Sequence, residues 1–100
     1  MLIYFIYNFE HKTSAIYETY PQALPEKLKR IGWDYNECMI RIAPDLSYAI
    51  RTRDLAKEHP EKFDENLKGM VLDARQPIGH RQALPFGVYT MTRGKGIDYV

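Results

Sequence analysis

Leu2-Ile3-Tyr4-Phe5-Ile6-Tyr7-Asn8-Phe9 opens the chain with its most apolar stretch, and the reading of that stretch decides the fold. Aromatic and β-branched residues dominate a short run, which selects strand over helix. Tyr4, Phe5, Ile6 and Tyr7 are all bulky, so the strict alternation of a half-exposed strand is missing. A central strand covered on both faces has this composition. A secretory leader would need a basic segment ahead of the apolar run, and none precedes it. The seven residues of the apolar run Met1–Tyr7 also fall far short of the ~20 that a helix needs to cross a bilayer.

Working outward, Asn8 to Ser14 reads as a polar turn, and Ala15 to Tyr20 as an optional short strand pairing back on the first. Pro21 and Pro25 bracket a turn, with Pro25 suited to the first residue of a helix. Glu26 complements the N-terminal end of that helix, and Lys29 and Arg30 its C-terminal end. Leu24, Leu28 and Ile31 share one face, and Gly32 supplies the left-handed residue that stops it. Cys38, Ile40 and Ile42 alternate with Met39, Arg41 and Ala43, the two-residue period of a strand. Pro44-Asp45-Leu46-Ser47 offers turn chemistry. Tyr48, Ile50 and Thr52 alternate with Ala49, Arg51 and Arg53, which predicts a β-hairpin carrying Arg41, Arg51 and Arg53 on its more solvated face.

Asp54 to Lys68 then reads as helix, with Leu55, His59, Phe63 and Leu67 at four-residue spacing. Pro60 interrupts it, because the residue before a proline avoids helical geometry. Gly69 caps the segment, and Met70 to Leu72 form a short strand. The order strand, helix, strand, strand, helix, strand predicts an α+β fold of the ferredoxin-like split βαβ kind, an antiparallel sheet with two helices on one face. On this reading residues 1–100 form a single domain: a core over 1–73, a loop over 74–85 and a C-terminal β-hairpin extension over 86–100. The repeated Gln-Ala-Leu-Pro at Gln22–Pro25 and Gln82–Pro85 leads into a helix once and a strand once, so it reflects turn chemistry rather than duplication.

The chain holds 100 residues, 45% of them apolar and 27% charged, the balance of one globular domain. Its 14 basic and 13 acidic residues leave a formal charge of +1. An acidic DNA mimic would need a large negative excess, and a general phosphate binder or polybasic membrane tail a large positive one, and neither is present. Residues 69–100 hold four basic residues against two acidic ones, so the small positive excess gathers there. Cys38 is the single cysteine, which rules out an internal disulfide and a cysteine-built metal site, and a reducing, cytoplasmic location is expected.

No residue pattern announces chemistry. Gly94-Lys95-Gly96 fails as a phosphate-binding loop, because Tyr89 stands where the first glycine belongs and Gly96 where a Ser or Thr must bind magnesium. His11, His59 and His80 lack metal-ligand spacing, so neither a metal nor another cofactor is expected. His80 with Arg75, Arg81 and Tyr89 has the residue types of a metal-free nuclease, a histidine for proton transfer and arginines for phosphoryl charge. The carboxylates Asp64 and Glu65 sit among lysines as ordinary solvated charges.

Eight tyrosines, four phenylalanines and one tryptophan are a heavy aromatic load for this length. Aromatic residues favour binding surfaces, where they give stiff amphipathic area at low entropy cost. Tyr17, Tyr20, Trp33, Tyr35 and Tyr99 lie at element ends or beside turns, where full burial is hardest. These features predict a small non-enzymatic protein-binding module that uses Trp33, Tyr35, Tyr99 and a basic C-terminal arm of Arg75, His80, Arg81, Tyr89, Arg93 and Lys95. In general character, short and aromatic-rich without motifs, the chain resembles inhibitors and regulators encoded by phages and other mobile elements. The partner expected first is a protein. Nucleic acid is the alternative, held by that arm or by Arg41, Arg51 and Arg53 on the sheet. A membrane is not expected, and homodimerisation through the hairpin is compatible with an exposed edge strand.

Overall fold

A computed structural model describes residues 1–75, together with the backbone of two short strands at 89–92 and 96–99. The first strand, β1 (Leu2–Asn8), pairs antiparallel with β2 (Thr13–Thr19) through a continuous register from Leu2↔Thr19 to Asn8↔Thr13. Lys12 closes the connecting turn in the left-handed region at φ 53°. A seven-residue helix, α1 (Leu24–Arg30), follows, and β3 (Cys38–Ala43) pairs antiparallel with the other edge of β1. A thirteen-residue helix, α2 (Leu46–Glu58), leads through two 3-10 turns to β4 (Val71–Asp73), which is parallel to β3. The sheet is therefore mixed, four-stranded, and ordered β2-β1-β3-β4.

The expected central strand is found, and its partners explain its composition. Tyr4 and Ile6 face one core cluster with Leu24 and Leu28 of α1 and with Cys38, Ile40, Ile42 and Val71. Phe5, Tyr7 and Phe9 face a second cluster with Met39, Ala43, Ala49 and Ala56 of α2, and Phe63. The two helices lie on opposite faces, which corrects the expectation of both on one face. Three layers form, with the sheet in the middle.

Both edge pairings with β1 are antiparallel, so β2, β3 and β4 run the same way. The crossovers β2–α1–β3 and β3–α2–β4 move toward the same edge but over opposite faces. They are consequently of opposite hand, so one departs from the usual right-handed rule.

A second correction concerns residues 46–53, read as the end of a turn (46–47) and a strand (48–53) and found as helix. Asp45 accepts a hydrogen bond from the Tyr48 amide at 2.7 Å, a side-chain cap that commits the chain to α2. The buried face of α2 is Ala49, Thr52 and Ala56, small residues that let the helix lie close on the sheet. Thr52 is satisfied internally, its hydroxyl donating to the Tyr48 carbonyl at 2.8 Å. Leu55, placed by its spacing on one stripe with Phe63 and Leu67, is 37% exposed, because the face of α2 turned to the sheet is Ala49, Thr52 and Ala56.

Other signals are found where the sequence placed them. Gly32 and Gly69 both take φ of +74°. The Gly32 amide donates to the Lys29 carbonyl at the end of α1, and the Gly69 amide donates to the Cys38 carbonyl. Phe63, between the two 3-10 turns, stacks on Tyr7 with centroids 5.1 Å apart and leans on Phe5 at 6.0 Å. The strands Tyr89–Thr92 and Gly96–Tyr99 pair antiparallel with each other. The remainder of the expected loop and hairpin lies outside the described residues.

Phe63 ties an irregular segment to the middle of the sheet, so Phe63→Ala is expected to cost about 3–5 kcal/mol, as for other buried aromatic truncations. Urea unfolding monitored by circular dichroism measures this. A loss below about 1 kcal/mol would show that the segment closes over the vacancy.

Candidate binding surfaces

The two outer layers present different chemistry. On the α1 side a helix of two turns buries only Leu24 and Leu28, so other side chains complete the cover. Leu2, Tyr17, Trp33 and Tyr35 pack on this core while each stays partly in water. The Trp33 amide donates to the Leu28 carbonyl at 3.0 Å, which places the indole just past the helix end. Lys27 lies over the Tyr17 ring, 5.7 Å from its centroid. At the two ends of the segment, Tyr20 is 59% exposed and Ile31 44%.

On the α2 side the surface is mostly polar, with Leu46 and Leu55 its exposed apolar side chains. Arg41 of β3 lies half-buried on this face and donates to the Tyr48 hydroxyl at 3.2 Å. Arg51 and Arg53 belong to α2 rather than to a strand, so the three arginines expected together on an open sheet are distributed differently. Arg51 donates to Ser47 Oγ, while Arg53 turns toward the β1–β2 turn and lines a cleft with Lys12 and Lys57. Sequence spacing gave no sign of this grouping, because it joins a turn to a helix some forty positions later.

Among the residues singled out from the sequence, Trp33 and Tyr35 share the α1-side surface. Arg75 is held apart in a fork with Asp73, Nε to Oδ1 at 2.9 Å and Nη2 to Oδ2 at 2.7 Å. This pairing, chiefly the side-chain hydrogen bonds from Arg75, holds the Asp73 carboxyl below the usual carboxylate range. His80, Arg81, Arg93 and Lys95 lie outside the described residues, as do the side chains of Tyr89 and Tyr99.

Cys38 is fully buried beside Asn8, whose Nδ2 lies 3.4 Å from the sulfur. Burial pushes its thiol up to about 12, so it is a small core residue rather than a nucleophile. Among the described residues no group of three His, Cys, Asp or Glu side chains has a metal-holding arrangement. No helix of these residues is long and apolar enough to cross a membrane.

The Asp73–Arg75 fork gives a signed pH dependence. A depressed native carboxyl stabilises the fold above the unfolded-state pKa, and the effect is lost as pH falls through the native value. Arg75→Ala is expected to be less stable than the parent chain near neutrality, by about 1 kcal/mol at most for so exposed an arginine. The two unfolding curves should converge in acid, below the Asp73 titration. A difference that persists undiminished there would assign the effect to something other than this pair.

Comparison with protein-family models, with curated proteins and with solved structures finds no match to this chain.

Proposed function

We propose that the chain is a non-enzymatic binding module that engages a protein partner through its α1-side surface. The observation that supports this is the incomplete cover of that face: Tyr17, Trp33 and Tyr35 stay partly in water where a longer helix would have hidden the sheet. Part of each ring covers the core, which fixes its position at no further ordering cost on binding. The exposed part offers stiff amphipathic area, with Tyr20 and Ile31 extending it at either end of the segment. In this proposal the C-terminal arm with Arg81, Arg93 and Lys95 adds positive charge to the contact, and the partner is a host complex regulated by a small inhibitor. The comparison with mobile-element inhibitors remains one of general character.

Polynucleotide binding across the sheet has less support. That mode needs a continuous row of available cations and an open face with aromatic rings. Arg41 and Arg51 are engaged by hydroxyls and Arg75 by a carboxylate, and α2 covers the sheet face toward which Arg41 points.

The test is affinity capture from the native host with the parent chain and two folded variants. Tyr20→Ser with Ile31→Ser is expected to abolish capture of a specific partner, while Arg51→Glu on the opposite layer retains it. Equal capture by both variants would remove the α1-side surface as the contact. Steep loss of the captured material with rising salt, together with nuclease sensitivity, would replace the protein partner by nucleic acid.

A further inference from the structure

The cleft between α2 and the β1–β2 turn is carried by observations independent of the aromatic surface. It is open to solvent and has a volume of about 220 Å³. Lys12 lines it from the turn and Arg53 and Lys57 from α2, while Tyr7, Thr13 and Ser14 contribute hydroxyls. Among the described residues no carboxylate lines it. Lys12 and Lys57 form no ion pair among the described residues. The guanidinium of Arg53 reaches Asp54 at 3.4 Å through Nη2, and its Nε, shielded from water, has no hydrogen-bond partner among the described residues.

These features belong together physically. Three cations brought to one small concavity repel one another, and a buried donor without an acceptor costs the fold free energy. The fold itself enforces the approach. Lys12 is set by a left-handed backbone turn, and Arg53 is anchored beside the buried residues Thr52 and Ala56. Burial, with Glu65 adding to it, pushes the Tyr7 phenol up, so it remains a hydrogen-bond donor at neutral pH. A compact anion with several acceptor oxygens relieves the mutual repulsion of the three cations.

We infer that this cleft is a binding site for one phosphate group, either inorganic phosphate or the phosphoryl end of a small phosphomonoester. Charge and size decide against a nucleic-acid strand. A strand presents a phosphate at every nucleotide and requires a basic track, whereas the chain carries a net charge of only +1. Outside the cleft, Arg30 is paired with Glu26, and Arg75 with Asp73. The volume accommodates a phosphoryl group with little beyond it, below the range of about 300–1,000 Å³ common for larger organic ligands.

The experiment is a titration of the ¹⁵N-labelled full chain at low ionic strength, followed by amide chemical shifts, with four probes: inorganic phosphate, glycerol phosphate, glycerol and an oligothymidylate without terminal phosphates. Phosphate and glycerol phosphate are expected to give saturable shifts centred on Thr13, Ser14 and Lys57, and glycerol none. Tighter binding of glycerol phosphate than of phosphate identifies an ester as the preferred source, and the reverse identifies the free ion. Arg53→Gln and Lys57→Glu should each weaken binding about tenfold or more, as expected for losing a charge-assisted contact. Lys29→Glu on α1 should leave it unchanged. Should Arg53→Gln perturb the fold, Lys57→Glu at an exposed position carries the test alone. Absence of saturable shifts at the cleft would overturn the inference, as would oligothymidylate binding more tightly than either phosphate.

Discussion

Burial of β1 on both of its faces is the constraint from which the rest of the structure follows. Tyr4 and Ile6 on one side, and Phe5, Tyr7 and Phe9 on the other, are all nearly or wholly removed from water. Leaving the second face bare would expose three aromatic side chains, forfeiting roughly 5–9 kcal/mol at 1.5–3 kcal/mol each. That is comparable with the whole stability of a small domain, about 5–15 kcal/mol. A layer on each face is therefore required, and with only two helices available each face receives one. Two crossovers of the same hand, moving toward the same edge, would have put both helices together. Here covering β1 outweighs the usual preference for right-handed connections.

This conflict also explains how much of the fold was legible in the residues. The unbroken bulk of Tyr4 to Tyr7 indicated a doubly covered strand, while the assembled element order suggested helices on one side. The two inferences were incompatible, and the hydrophobic one proved correct. Local punctuation read well: Pro25, Gly32, Pro60 and Gly69 act where their backbone preferences place them. Residues 46–53 read poorly because the buried face of α2 is made of Ala49, Thr52 and Ala56, whereas its last turn, 54–58, was legible as helix. Small residues give a weak helical period, and the chance alternation of Tyr48 to Arg53 imitated a strand. The signal that would have found the helix is Asp45, a good cap directly before it.

The candidate surfaces were legible to different degrees for the same reason. Trp33 and Tyr35 follow α1 directly, so their position at the margin of a core was visible in the local sequence. The grouping of Lys12 with Arg53 and Lys57 depends on α2 lying over the β1–β2 hairpin. The strand-like alternation of residues 48–53 hides it, because only a helix there brings Arg53 and Lys57 to the hairpin. The two outer layers divide the surface chemistry, with aromatic area on the α1 side and a small concentration of positive charge on the α2 side. A near-neutral chain thereby keeps a local site for an anion without becoming a general binder of polyanions.

Native-state hydrogen exchange tests the central place of β1 most directly. A strand hydrogen-bonded along both edges and covered on both faces should open only when the whole domain unfolds. The amides of Phe5 and Ile6 are predicted to exchange with a free energy equal to that of global unfolding by denaturant, and α1 with a lower one. Exchange of β1 through a local opening well below the global value would contradict the account, because the layers on its two faces would then be separable.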